Sequence, residues 1–283
     1  MSWQVLVLLS SAFAAIATIL NRKAMQDKKL EPITFATVFQ LTCAIILGGV
    51  GLFLGQMKIG NIVPLIPYLL LGGILYGLGN IFIFKSLKLG EASKFTVIFS
   101  TQSLFTIFGA YLFLGERLLW THWIGVGLMI ISVALISFTP DSIKFDKDEL
   151  YALLAAIFFG FARVNDKFMI GQMDFYMFLF LGFLLPAIVM VFFNPGIIKH
   201  IKEYKKPKHL EAMLVVSAIY SLNAILFYLA LSVGKSSQVV TAAVTAVIFT
   251  EILGVIWLGE KKNISRKVFG SVLTVIGLLL ISL

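Results

Sequence analysis

The sequence predicts an all-α integral membrane protein in which ten transmembrane helices form two inverted five-helix repeats. Three observations carry that expectation. The chain is more apolar than a soluble core of its size can hide. It repeats itself at a fixed offset. Its basic residues alternate between abundant and scarce from one connection to the next.

Hydrophobic residues make up 59% of the 283 positions before the 23 glycines are added. A soluble domain is roughly 45–50% apolar with glycine included. Charged residues are 13%, about half the usual ~25%. The mean hydropathy is +0.98. Lipid must therefore be the solvent for most of the surface. The single cysteine, Cys43, rules out an internal disulfide and sits in an apolar run that suits core packing. The net charge of +9 does not indicate nucleic acid, because the lysines and arginines lie in short tracts between apolar runs. The first run has no basic leader and no small-residue cleavage site, which predicts a retained helix.

About 20 apolar residues cross the ~30 Å hydrocarbon layer as a helix. Ten runs qualify: 4–20, 32–54, 65–87, 92–114, 120–138, 150–168, 175–193, 210–231, 237–258 and 268–283. The longest connections are the acidic-basic tract 141–149 and the lysine-rich tract 199–209. Strands of a β-barrel would be ~10 residues long and would alternate in polarity, which these runs do not.

Sliding the chain by 144 residues lays 76–116 on 220–260 without a gap. Tyr76 meets Tyr220, Gly90 meets Gly234, Ser93 meets Ser237, and Leu114-Gly115-Glu116 meets Leu258-Gly259-Glu260. Asn21 and Lys23 meet Asn165 and Lys167, and one residue further on Gly125 meets Gly270. The copies are 1–139 and 149–283. Five spans per copy is an odd number, so the second copy enters the membrane upside down.

The charges test this independently. The odd-numbered connections and their flanks hold 18 of the 23 basic residues, and the rest of the chain holds Lys58, Arg117, Arg163, Lys167 and Lys235. Basic residues mark the cytoplasmic side. The bias places the odd connections inside and both termini outside, most simply in the plasma membrane.

The two copies carry related motifs. The first reads Phe84-Lys85-Ser86-Leu87, Gly90-Glu91-Ala92-Ser93, Leu114-Gly115-Glu116 and Gly125. The second reads Tyr228-Leu229-Ala230-Leu231, Gly234-Lys235-Ser236-Ser237, Leu258-Gly259-Glu260 and Gly270. This pattern resembles the EamA family of the drug/metabolite transporter superfamily. The resemblance implies a secondary transporter with a central cavity between the first, third, fourth, sixth, eighth and ninth helices. It does not bring a substrate with it. Characterised ten-helix relatives are held to have both termini in the cytoplasm, the reverse of the charge bias here.

Polar residues near mid-span are the candidate cavity lining: Tyr76, Asn80, Thr101, Gln102, Tyr220, Asn223 and Thr245, with Arg163 as an intramembrane cation. Interhelical hydrogen bonding is the alternative role for each. For Arg163 the alternative is a local ion pair with Asp166 one turn on. Glu251 is the sharpest residue, a carboxylate within a span that faces Ile107 in the first copy. Such a group is costly in lipid unless it meets water or a partner. It is a proton-coupling candidate or a ligand for a cationic substrate, with a structural partner to a lysine or a hydroxyl as the alternative role. Glu116 and Glu260 are expected to cap the following helix or pair with Lys or Arg, and Ser93 and Ser237 to act as N-caps. Gly125 with Ser132, and Gly270 with Gly277, form small-residue stripes expected to pack the tenth span on the fifth, with a dimer contact as the alternative.

No catalytic residues, metal ligands or cofactor motif emerge. No phosphate-binding loop is present, and His122, His200 and His209 read as solvated. The glycines 72, 73, 77 and 79 lie inside an apolar helix, where they permit close helix approach. The expectation is not an enzyme but an alternating-access exporter of an amino acid or similar small polar compound. Its partners are the small-molecule substrate and membrane lipid, with no nucleic acid, and it is a monomer or homodimer. Efflux of cationic or lipophilic compounds, or a non-transporting membrane scaffold, are the competing readings.

Overall fold

The computed structural model describes residues 2–114, 120–137, 146–194, 196–233, 239, 243, 245–260 and 263–281. Among them every regular element is helical. Helix α1 (Trp3–Met25) leads to α2 (Pro32–Phe53) and, past a 3-10 turn at Val63–Leu65, to α3 (Ile66–Leu89). Then come α4 (Ala92–Ser100), α5 (Gln102–Leu114), α6 (Trp120–Ser137), α7 (Lys147–Met169) and α8 (Phe175–Phe193). A short α9 (Ile197–His200) and a 3-10 turn at Ile201–Lys205 precede α10 (Pro207–Val233). Helix α11 (Thr245–Leu253) runs into a π turn at Gly254–Leu258, and α12 (Ile264–Ile281) follows.

Local chemistry sets several boundaries. Pro32 opens α2, and the Glu31 carboxylate accepts the N–H groups of Ile33 (3.0 Å) and Thr34 (2.6 Å). The Asp146 N–H donates to Glu149 Oε2 at 2.9 Å, so α7 starts at Lys147, inside the tract expected to be a connection. The lysine-rich tract is likewise not a bare connection. It folds into α9 and its 3-10 turn, where buried Tyr204 packs on Phe35 at 6.2 Å between ring centroids.

The run 92–114 is not one helix. It breaks at Thr101, where the Thr101 N–H bonds Ile98 O (3.1 Å) and the Leu104 N–H bonds Thr101 O (2.9 Å). Ser100 and Thr101 cause this, since their hydroxyls donate to Val97 O (2.6 Å) and Ile98 O (2.7 Å) and compete with the ladder. Tight i→i+3 bonding inside a helix is a common mark of a hinge.

Among the described residues, six stretches are long and apolar enough to cross a membrane: Trp3–Met25, Pro32–Phe53, Val63–Leu89, Ala92–Phe113, Phe175–Phe193 and Pro207–Val233. Trp123–Ser132 and Thr245–Leu258 are shorter apolar helices. Helix α7 is long enough but carries Lys147, Asp148, Glu149, Arg163, Asp166 and Lys167. The surface is apolar where a soluble protein's would be polar, with Phe53 89%, Trp120 84% and Phe192 79% exposed. Ser10, Gln40, Asn80 and Thr250 are buried instead. This is the arrangement lipid imposes on a multi-pass integral membrane protein.

The main helix pairs join the two halves of the chain. Helix α1 packs on α10 and α3 on α7, α2 packs on α8, and α6 packs on α12. Helices α3 and α8 also pack, as do α10 and α2, and so do α5 with α7 and α11 with α1. The 144-residue offset exchanges the members of each couple.

Connections gather in the same way. Lys88 Nζ donates to the carbonyls of Asp27 (2.5 Å) and Leu30 (3.0 Å), and His209 bonds Asp27 at 3.2 Å. Ser86 donates to Asp148 O at 2.8 Å, Lys94 pairs with Glu149, and Lys267 pairs with Glu91 at 2.5 Å. Elsewhere, the Lys58 N–H donates to Asp174 Oδ2 (2.9 Å) and the Asp174 N–H to Lys58 O (3.0 Å). His209 is thus bonded rather than solvated, because α10 begins early enough to turn its ring onto Asp27.

Helices α6 and α12 meet along their small residues. Gly125, Ser132, Gly270 and Gly277 are all buried, and the Ser132 hydroxyl donates to Gly270 O at 2.6 Å and sits 2.7 Å from Thr274 Oγ1. The α3 glycines permit close approach: a Cβ on Gly77 would lie 3.0 Å from Val189 and 3.2 Å from Pro186 O.

Candidate functional site

A cavity of about 260 Å3 lies between the halves of the chain. Its walls come from α1, α3, α4, α5, α7, α10 and α11, and also from α2 (Phe39, Gln40) and α8 (Phe178, Phe183), which the resemblance did not imply. Its wall mixes aromatic rings with polar side chains, among them Gln40, Asn80, Gln102 and Asn223.

One corner is polar and densely bonded. The Arg163 and Asp166 side chains on α7 lie 3.7 Å apart, at a spacing of one helical turn. The Asp166 Oδ2 atom accepts the hydroxyls of Tyr228 (2.6 Å, from α10) and Tyr76 (from α3). Arg163 Nη1 donates to the Tyr228 hydroxyl at 3.0 Å, and its guanidinium lies 4.7 Å from the centroid of Phe227. Three helices thus converge on one carboxylate. Two phenols and a guanidinium satisfy it, as a buried charge requires. The Arg163 side chain remains 27% exposed, so part of its planar fork faces the cavity.

Six of the expected lining residues border this cavity: Tyr76, Asn80, Gln102, Arg163, Tyr220 and Asn223. Asn80 Nδ2 donates to Tyr76 O on its own helix (2.7 Å), and Asn223 Oδ1 accepts from Ser10 (2.8 Å). Gln102 Oε1 is buried with no hydrogen-bond partner among the described residues. Tyr220 packs edge-on against Phe39 at 5.1 Å.

Thr101, Thr245 and Glu251 are not lining residues. Thr101 turns its hydroxyl into the helix break. Glu251 is 5% exposed, and neither of its oxygens has a hydrogen-bond partner among the described residues. It lies off the cavity lining, and the charges that act on it are Lys267, Glu260 and Glu91.

Glu260 and Ser93 act differently from expectation. The Glu260 carboxylate accepts the N–H of Ala92 (2.8 Å), the N–H of Ser93 (3.1 Å) and the Ser93 hydroxyl (2.7 Å). It therefore caps α4, in the other half of the chain, rather than the helix that follows it. Ser93 is a donor inside the first turn, and Glu91 occupies the N-cap position. The geometry follows from Gly259, whose φ of +67° reverses the chain after the π turn, a conformation glycine adopts without strain. Gly254 leaves room for the carboxylate, since a Cβ there would sit 3.0 Å from Glu260 Oε2. Glu116, Gly234 and Ser237 lie outside the described residues.

Asp166 and Tyr228 belong to the site although the sequence alone did not single them out as lining. The signal was available in the offset. Tyr228 faces Phe84 in the first copy, and Arg163 faces Ile19. Among the described residues no group of three or more His, Cys, Asp or Glu could hold a metal.

The model of the EamA-like transporter family matches residues 1–138 and again 147–283. A Sinorhizobium protein described as an uncharacterized transporter in the cobO 3' region is 27% identical over 138 residues. That match spans 48% of this chain and 96% of the relative, a length close to one copy of the repeat. The crystal structure of one other protein superposes over 98% of this chain and 94% of its own with a TM-score of 0.61. At 16% identity that likeness speaks for the fold alone. With the family pattern present in both halves around one shared cavity, the chain belongs to the EamA-like transporter family, within the drug/metabolite transporter superfamily.

Proposed function

We propose that this membrane transporter is a secondary active carrier working by alternating access, with ten spans as two inverted five-helix copies (1–139 and 149–283). Its cargo is an amino acid or similar small polar metabolite, moved outward across the plasma membrane. The odd-numbered connections are cytoplasmic and both termini are outside. The paired packing of α1 on α10 and α3 on α7 supports the inverted plan, because antiparallel copies can exchange conformations around a midplane site. The basic excess supports the orientation, and family resemblance supports export.

One observation carries the substrate class: the charged Arg163, Asp166, Tyr76 and Tyr228 corner of a cavity whose other walls mix aromatic and uncharged polar side chains. Arg163 offers a fork that matches a carboxylate, and Asp166 offers an acceptor for an ammonium group. The size agrees, since about 260 Å3 falls just under the ~300–1,000 Å3 of drug-sized pockets. Efflux of a cationic compound drew its support from Glu251 lining an aromatic cavity, and Glu251 lies off the lining.

The test is a thermal-shift screen of purified protein against amino acids, amines and sugar phosphates, followed by uptake of the best solute into proteoliposomes. A solute at a hundred times its Kd stabilises by about 2.7 kcal/mol. Amino acids should raise Tm and be carried, and Arg163→Gln should lose both effects. No shift with any amino acid, or an equal shift in Arg163→Gln, overturns the assignment.

A further inference from the structure

We infer that Glu251 is a proton site separate from the substrate cavity, and that it controls through Lys267 whether the α4 segment stays latched. The inference rests on the transporter reading and adds to it the place where protons couple.

Glu251 is nineteen-twentieths buried, with both oxygens unpartnered among the described residues. An ionised carboxylate without a partner is strongly disfavoured in such surroundings. The charges that act on it are those of Lys267 on α12, which packs against α11, Glu260 in the turn after α11, and Glu91 at the start of α4. The same two glutamates act on Arg22 of α1. Lys267 is 4% exposed and is already engaged, at 2.5 Å from Glu91 Oε2 and 3.1 Å from Glu260 O.

That engagement closes a latch. Lys267 ties Glu91 to Glu260, and Glu260 holds the first two N–H groups of α4. Helix α4 is only nine residues long and is hinged at Thr101. Its Phe95, Thr96 and Phe99 are cavity wall. When Glu251 gives its proton to water, its new charge needs a donor, and Lys267 is the buried cation that acts on it. Lys267 then leaves Glu91 and the Glu260 carbonyl. The two glutamates lose the cation bonded to both, and α4 swings on its hinge away from the cavity. A proton returning from water to Glu251 frees Lys267 to close the latch again.

The experiment uses purified full-length protein and no solute. Thr96→Cys in a Cys43→Ser background is labelled with a maleimide over a range of pH. Its rate is divided by that of Gln56→Cys, an exposed reference thiol that cancels the chemistry of the reagent. The ratio should rise roughly tenfold as the latch opens with increasing pH. Glu251→Gln should stay slow at every pH, an outcome unfolding cannot imitate because it would speed labelling. Lys267→Gln and Glu91→Gln should be fast at every pH. A pH response surviving in Glu251→Gln, or slow labelling in both latch variants, overturns the proton latch and leaves the transporter reading standing. A failed solute screen beside pH-dependent labelling removes the solute class alone.

Discussion

The repeat puts the same positions of the fold at two places, and the chain fills them with opposite chemistry. On α7, α3 and α10, Arg163, Asp166, Tyr76 and Tyr228 form a charged, hydrogen-bonded corner. The offset maps Arg163, Asp166 and Tyr228 onto Ile19, Arg22 and Phe84. There Ile19 (0% exposed) and Phe84 (1%) sit in an apolar cluster with Phe35 and Phe39, and the rings of Phe35 and Phe84 lie 5.0 Å apart. Arg22 turns away to donate to Leu87 O (2.7 Å) and Lys88 O (3.2 Å). Duplication preserved the scaffold and freed the site to differ. One copy places charge on the cavity wall, and the other packs aromatic rings at the matching position.

The largest expected effect comes from making the polar corner imitate its counterpart. Arg163→Ile leaves the Asp166 carboxylate buried without its cation and should destabilise by about 3–5 kcal/mol. Arg163→Ile with Asp166→Asn should recover most of the lost Tm in thermal melts, because no unpaired charge remains. Equal losses in the single and double variants would break the contrast.

A smaller effect tests the aromatic side. Phe84→Tyr brings a hydroxyl into the apolar cluster that backs the cavity, with no polar partner in that cluster, and should cost about 1–3 kcal/mol. Tyr228→Phe should cost a similar amount for the opposite reason, since Asp166 and Arg163 each lose a hydrogen bond. Denaturation midpoints in detergent measure both, and an unchanged midpoint for Phe84→Tyr would mean that the cluster is wet.

The smallest effects lie where α3 meets α8 and where α10 meets α2. Gly77→Ala presses a methyl onto Val189 and Pro186 and should cost about 1–3 kcal/mol. Its counterpart by the offset is Ser221, whose buried hydroxyl has no partner among the described residues. Ser221→Ala should be neutral or slightly stabilising by the same melts. A clear loss there would reveal a partner for that hydroxyl.

Much of this was legible in the chain. Apolar run lengths, the 144-residue register and the basic bias carry the membrane-spanning and duplicated character, because each is a property of position along the sequence. The small-residue stripes of α6 and α12 and the glycines of α3 were readable for the same reason. The break at Thr101 was harder, since it depends on two hydroxyls turning back onto their own helix.

The site itself was only half legible. Polarity within an apolar span picks out Arg163, Tyr76 and Glu251, but it cannot say which share a space. Asp166 read as a partner for Arg163 alone, while two tyrosines from other helices also donate to it. Glu251 read as the sharpest cavity candidate, while in the fold it is buried off the lining, under the charges of Lys267, Glu260 and Glu91.

By itself the sequence determined that this protein lives in lipid, that it is built from one unit twice, and which family it joins. Those facts follow from composition, run length and the 144-residue register, all of which are read along the chain without knowing how it packs. Only the tertiary structure decided that Glu260 caps a helix in the other half, that three helices meet at Asp166, and that Glu251 stands apart from the cavity. The physical reason is distance along the chain. Each of these contacts joins residues far apart in sequence, and which face each helix turns inward is settled by packing, not by hydropathy.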